Sequence, residues 1–305
     1  MVGNLIRKWR AYKRDPKSFL LFLSVCLANF ITMLALIFII AYILIKGLPN
    51  LTPDLFDIKY TTENVSLLPA LINTLFIMLL SLLSAVPVGI GAAIYLTEYA
   101  RRGNKLISIV SITAETLSGI PSIVYGLFGS LLFVKYLGLG LSLLSGALTL
   151  SIMILPLIMR TTEEALRSVP DSYREGSFGL GAGKLRTVFS IVLPCAVPGI
   201  LSGVILGIGR IVGESAALIF TAGTVAEIAT SIFSSARTLS VHMYSISGEG
   251  LYIEQTYAAA VVLLVVVILI NGLSGFAARK IGGNTLRVSH NAQKNVQSGG
   301  KNTDG

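Results

Sequence analysis

The chain is poor in charge. Of its 305 residues only 13% are Asp, Glu, Lys or Arg, about half the quarter typical of soluble domains. A water-facing surface of this size needs more, and a mean hydropathy of +0.78 argues that most of it faces another solvent. Disorder is excluded on the same ground, because disordered chains are rich in charge and poor in apolar residues. Cysteine and histidine are equally scarce. Cys26 and Cys195 are too few for a disulfide framework, and with His242 and His290 they offer no metal-ligand spacing. Both cysteines read as small buried hydrophobes, and no cofactor is implied. A nucleotide-binding P-loop is also missing. G-x4-G-K-[ST] is required so that backbone amides and the lysine can cradle phosphates. Around Gly183-Lys184 the first glycine is replaced by Phe178 and the Ser/Thr by Leu185. No nucleophile–base pair is evident, which argues against an enzyme working within a membrane.

What the chain has is apolar length. Six stretches, 19–45, 68–96, 106–134, 136–159, 196–220 and 256–278, reach the roughly 20 residues that a bilayer-spanning helix needs. The first holds no charge, is too long for a signal-peptide core and lacks a small-residue cleavage site, so it reads as a retained anchor. Pro87 and Pro121 fall within spans, where neighbouring helices can satisfy the freed carbonyls. A kink or break is expected around Gly119-Ile120-Pro121-Ser122. The fold class is therefore an all-α integral membrane protein with six transmembrane helices.

Orientation follows from Lys and Arg. Of 24, 19 lie in the segments 1–18, 101–105, 160–193 and 279–305. Only Lys46, Lys59, Lys135 and Arg237 fall on the opposite side, and Arg210 is left within a span. Basic residues accumulate on the cytoplasmic side, so both termini are expected there. The net charge of +9 then reports topology rather than a nucleic-acid surface. The organisation is a basic tail (1–18), a permease-like membrane domain (19–278) containing a long cytoplasmic loop (160–193), and a tail (279–305) expected to be flexible.

Glu115, Arg210 and Glu214 lie within predicted spans, where a charge costs about 2.5–3.5 kcal/mol and usually faces a bundle interior or a watery cavity. At 3.6 residues per turn, Gly199, Gly203, Gly207, Arg210 and Glu214 share a sector of about 80°. Glycines on that face allow close approach of another helix. Two readings stand: Arg210 and Glu214 neutralise each other and lock helices together, or Arg210 serves an anion path with Glu214 holding its rotamer. A guanidinium suits phosphate because its planar fork donates two parallel hydrogen bonds. Arg160 is either the exit-side partner of Arg210 or a positive-inside anchor. Glu115 is expected to bond backbone freed at the break.

The loop 160–193 mixes both signs of charge. Asp171 or Ser172 can cap a short helix over 172–178, glycines at 179, 181 and 183 end it, and a second helix over 184–193 stops at Pro194. Such a helix–glycine turn–helix can dock into another protein's groove, or be an ordinary solvated loop.

Here the sequence resembles a known family. Glu175-Gly176-Ser177, Gly181, Ile191, Leu193 and Pro194 reproduce the spacing of the EAA loop of ABC-importer permeases, E-A-A-x3-G-x9-I-x-L-P, with Gly-Ser in place of Ala-Ala. The resemblance implies that this loop carries a coupling helix seated on an ATP-hydrolysing subunit, anchored by Glu175 and Gly181, within a type I (MetI-like) permease fold. Segments 119–129, 155–175 and 209–217 are similar to permeases of the high-affinity phosphate (Pst) system. Residues 238–244 favour its A-type (PstA) over its C-type subunit. The resemblance spans roughly 65–278 and raises Arg210, Glu214 and Arg160 as substrate-pathway residues. It also implies a second, PstC-like permease, PstB-like ATPase subunits and a periplasmic or lipid-anchored PstS-like phosphate-binding protein. Rival readings are an ABC permease for sulfate, molybdate or an organic solute, and an ion-coupled secondary transporter, which would work without an ATPase.

Overall fold

The computed structural model describes residues 16–100 and 105–299, and every regular element among them is helical. Hydrocarbon offers no hydrogen-bonding partner, so an apolar chain of this kind must pair its backbone within each segment. α1 (Pro16–Gly47) opens on a proline and closes with Lys46 in its last turn, where a cation suits the helix dipole. Its side chains are almost all exposed, so it lies at the edge of the bundle. Tyr42 meets Tyr257 edge-on with ring centroids 5.8 Å apart.

α2 (Leu68–Ile94) contains Pro87 and continues as a π-helical turn, Tyr95–Tyr99. α5 (below) is the central helix, and small hydroxyls join the two. Ser84 and Ser151 lie 2.6 Å apart, Ser81 donates to the Ala147 carbonyl and Ser151 to the Ser81 carbonyl. Polar side chains of this kind act as interhelical glue in a membrane.

The third predicted span is broken. α3 (Lys105–Ser118) and α4 (Ser122–Gly129, prolonged by the π-helical Ser130–Tyr136) are bent by 105° about Gly119-Ile120-Pro121. The described residues therefore hold five full-length apolar helices and one bent pair, six spans if the pair counts as one. The expected role of Glu115 at the break is not observed. Gly119 and Ile120 N–H groups bond Thr116 and Leu117 carbonyls, and the Tyr125 hydroxyl donates to the Leu117 carbonyl at 2.7 Å.

α5 (Leu143–Arg167) starts seven residues later and ends eight later than the predicted fourth span. Gly138 and Gly140, both at positive φ, turn the chain first, and Ser142 caps the helix by accepting from the Ser145 N–H. α6 (Asp171–Gly179), α7 (Lys184–Thr187) and the π-helical Val188–Val192 lead into α8 (Leu193–Val212). Pro194 does not stop the second loop helix as expected: 184–212 is one helix. The widened turn just before Pro194 accommodates a residue that lacks an N–H and crowds the carbonyl four positions back.

α9 (Ala216–Ile219), α10 (Leu239–Glu249) and α11 (Ile253–Gly299) complete the chain. The backbone of 279–299, expected as a flexible tail, extends α11. Residues 1–15 of the basic tail 1–18 and the final 300–305 lie outside the described residues, while 16–18 already belong to α1.

Buried apolar residues form three clusters. A middle one centres on Leu150, Ile154 and Ile158 of α5, and a second joins the α2 and α5 ends to Val188–Ile200. The third packs 55–70 against α10 and α11 at the other end. Cys26 and Cys195 are exposed free thiols rather than buried ones. Both sit on faces turned out of the bundle, so neither is packed as a small core residue.

Candidate functional site

Three groups of candidate side chains lie at the two ends of the bundle and near its break. The first surrounds Arg160, near the C-terminal end of α5. Its guanidinium reaches Glu115 on α3 at 3.3 Å and Glu164 one turn on at 3.5 Å. Glu115, to which sequence alone assigned no transport role, is thus the partner of Arg160. Together with Ser111, Ala114, Met159, Glu163 and Arg167 these residues line a cavity of about 270 Å³. Glu163 is buried and pairs with Arg167. The Arg160 and Glu115 side chains are more than half exposed, so their attraction is weak and salt-sensitive, at most about 1 kcal/mol. Such a pair can open for an anion at little cost.

The second group holds Arg210 and Glu214, which the structure does not bring together. α8 ends at Val212 and Gly213 caps it. Glu214 is therefore off the helix, and the shared sector inferred from a continuous helix holds only through Arg210. The buried Glu214 carboxylate instead accepts from the Ala217 N–H at 3.1 Å, while its carbonyl accepts from Ser240 at 2.6 Å. Its observed partners are backbone and hydroxyl groups of the outer segment. Arg210 occupies the last turn of α8, partly buried, with no ion pair among the described residues. It lies within electrostatic reach of Tyr125, the residue that stabilises the break. The glycine face below it does allow close approach: a Cβ on Gly199 would stand 2.6 Å from that of Ala165, and one on Gly203 would overlap Thr161.

The third group is the loop between α5 and α8. Neither Asp171 nor Ser172 caps α6; Pro170 holds the cap position without a side-chain bond, and Asp171 turns to Arg174 at 3.1 Å. Glu175 is exposed on α6, and Gly181 sits at φ +81°, a left-handed conformation that only glycine adopts at no steric cost. Ile191 ends within the π-helical turn, and Leu193 and Pro194 open α8, all partly buried. Around the turn, Tyr173, Phe178, Leu180, Leu185 and Phe189 stand exposed, Leu180 at 91%. Large apolar side chains left exposed on a loop of mixed charge make it a candidate protein-binding surface.

Sequence reasoning missed Glu98 and Arg174. Glu98 lies in the π-helical turn ending α2, and Arg174 Nη2 donates to it at 2.7 Å with Nε at 3.2 Å. Both residues are partly buried, with only 8% and 15% of the respective side chains exposed. The same guanidinium donates to the Val169 and Leu166 carbonyls at 2.8 and 2.9 Å. The hydrogen bond to Glu98 raises the Arg174 pKa, against the opposing effect of burial, with the charges of Glu98 and Asp171 assisting. Nothing in the spacing of residues 76 apart signals the contact.

At the end opposite this loop, Asn73 of α2 is fully buried and staples the 213–238 connection. It donates to the Glu227 and Arg237 carbonyls and accepts from the Ala229 N–H. Arg237 is buried beneath the Tyr60 ring, its carbon 4.5 Å from the centroid, and its Nε and Nη2 find no hydrogen bond among the described residues. His242 packs edge-on to the same ring. Burial first, and the charge of Arg237 second, push its pKa down to about 3, partly offset by the Val65 backbone. Val65 itself is buried at φ +45°, a strained position for a β-branched residue.

A family described as "Binding-protein-dependent transport system inner membrane component" matches residues 85–283. The chain is similar to a probable ABC transporter permease protein, YqgI, of Bacillus subtilis, at 34% identity over 81% of this chain and 88% of that one. It is 37% identical to the phosphate transport system permease protein PstA 1 of Mycobacterium tuberculosis, over 61% of each chain. Among solved structures it resembles a bacterial ABC transporter for alginate import, with TM-score 0.65 at 19% identity over 90% of this chain and 99% of that one. It also resembles the MetNI methionine ABC transporter, with TM-score 0.54 at 23% identity over 70% and 93%. The structural likenesses establish the type I, MetI-like permease fold.

Proposed function

Because the chain belongs to the family of binding-protein-dependent transport system inner membrane components, we propose that it is the A-type membrane subunit of an ATP-driven phosphate importer. In this reading it is a multi-pass permease with both termini cytoplasmic. It pairs with a related C-type permease, receives phosphate from an external binding protein and relies on separate subunits for ATP hydrolysis. The likeness to PstA 1 supports the cargo. The observation that carries the reading is Arg210, a guanidinium in the last turn of a spanning helix with no ion-pair partner among the described residues. A charge at that depth is costly unless it faces protein or a watery path, and its fork matches an oxyanion.

The mechanism follows from the two ends. ATP-driven closure of the hydrolysing subunits moves α6 and switches the cavity from inside-open to outside-open. The anion is admitted past Arg210, whose single charge favours passage over capture. It leaves through the cavity at Arg160, where the exposed bonds to Glu115 and Glu164 exchange for bonds to the anion. Glu214 shapes the entrance by fixing the start of α9. Glu175, Gly181 and the exposed apolar residues between Tyr173 and Phe189 form the surface that the ATPase grips, and Ile191, Leu193 and Pro194 carry its motion into α8. The test is reconstitution with the cognate ATPase subunits, second permease and binding protein, comparing phosphate with sulfate. ATP-dependent phosphate uptake that an Arg210→Gln change abolishes without loss of assembly is expected. Normal uptake by that variant defeats the pathway role.

A further inference from the structure

The loop helix α6 has nine residues and is joined to the rest of the chain by two short turns, 168–170 and 180–183. A helix held only through turns would pivot under load and pass little motion on. One side chain prevents this. Arg174, in the middle of α6, makes bonds to three separate elements at once. Its Nε and Nη2 hold the Glu98 carboxylate at the end of α2, Nη2 also holds the Leu166 carbonyl in the last turn of α5, and Nη1 holds the Val169 carbonyl just beyond. Carbonyls at a helix C-terminus lack intrahelical partners and attract cations, so the guanidinium finishes α5 while gripping α2. A rigid planar fork suits this role, because its donors are fixed relative to one another. Two further contacts brace the joint: Lys184 Nζ stands 5.2 Å from the Tyr99 ring centre, and Ser177 and Thr187 hydroxyls meet at 2.8 Å across the glycine turn.

We propose that Glu98 and Arg174 form the rigid joint through which displacement of α6 reaches the second membrane helix, so that they position the transport machinery rather than touch its cargo. The inference rests on the reading that α6 and its turn dock on the ATPase. With only 15% and 8% of its side chains exposed, the pair is screened less than the exposed pairs around Arg160. A break here leaves the docking surface itself intact, since none of the exposed apolar residues is bonded to Glu98 or Arg174. Hydrolysis and transport then separate.

The experiment uses the complete complex in liposomes, with ATP hydrolysis and phosphate uptake measured on the same vesicles. Glu98→Gln keeps the shape of the side chain and removes its charge; Arg174→Lys keeps the charge and loses the fork. For Glu98→Gln the expected result is normal co-purification of the ATPase subunits, continued hydrolysis, and at least a tenfold fall in phosphate moved per ATP. Arg174→Lys should fall between this and the unmodified protein. An unchanged ratio in Glu98→Gln overturns the proposal, and so does loss of the ATPase subunits from that variant, which would make the pair part of docking or folding. The underlying reading is checked apart: Leu180→Cys should cross-link to the ATPase subunit, and its failure to do so removes the docking assignment whatever Glu98→Gln shows.

Discussion

Three glycines on α8, four residues apart, look equivalent in sequence and are not. A Cβ on Gly203 would fall 2.7 Å from the Thr161 Cβ and overlap its hydroxyl; one on Gly207 would meet nothing nearer than 3.9 Å. Thr161 cannot rotate away freely. It is β-branched, and its hydroxyl is committed to the Leu157 carbonyl at 2.9 Å and the Ile158 carbonyl at 3.2 Å. Restoring a carbon–carbon separation of 3.5–4.0 Å would push α5 and α8 apart by about 1 Å. Overpacking of this kind costs about 1–3 kcal/mol, while replacing a mid-helix glycine by alanine returns about 0.5–1 kcal/mol. Gly203→Ala should therefore lose up to about 2.5 kcal/mol, and Gly207→Ala should gain about 0.5–1 kcal/mol. Thermal unfolding of the purified complex in detergent ranks the two variants. Adding Thr161→Ala removes the hydroxyl and methyl but leaves its Cβ, so it should recover part of the Gly203→Ala loss, a coupling visible in a double-mutant cycle. Equal stabilities for Gly203→Ala and Gly207→Ala would refute the packing argument.

Other outcomes follow from the site. Glu214→Gln retains an oxygen for the Ala217 N–H and should fold; Glu214→Ala should lose about 0.5–2 kcal/mol, as for a lost helix cap, read by thermal unfolding of the same complex. Gly181→Val forces a β-branched residue to φ +81°; it should weaken ATPase retention on co-purification, whereas Gly183→Ala, outside the positive-φ region with no atom near its Cβ, should not. Below pH 6.5 the unfolded chain binds a proton that His242 in the fold refuses until about pH 3. Stability should therefore fall as pH drops through that window, by about 1.4 kcal/mol per unit from this group. His242→Gln should flatten the slope of unfolding temperature between pH 6.5 and 5, and an unchanged slope would remove His242 as its source.

The apolar runs made the helices legible, because hydrocarbon leaves the backbone no alternative. Gly119-Ile120-Pro121 announced the break, and the Gly199–Gly203 spacing announced close packing of α8, both for local steric reasons. Where an element ends was less legible. Pro194 looked like a stop, and only the π-helical turn before it shows how the helix continues. The wheel that placed Glu214 beside Arg210 assumed a helix that Gly213 had already ended. Long-range partners could not be read at all: Glu98 finds Arg174, and Asn73 finds Glu227, Ala229 and Arg237, across 76 and more than 150 residues. The loop motif was visible by spacing, whereas the Glu98–Arg174 pair beside it was not.

The guanidinium of Arg237 has a consequence for an incoming anion. It is buried, faces an aromatic ring and has no carboxylate partner among the described residues. Charge held away from water is screened far less by salt than charge on a solvated surface. The end opposite the loop therefore holds one positive charge that mobile ions cannot easily erase. An anion arriving there in the proposed importer meets that charge even at ionic strengths that silence the exposed Arg160 pairs.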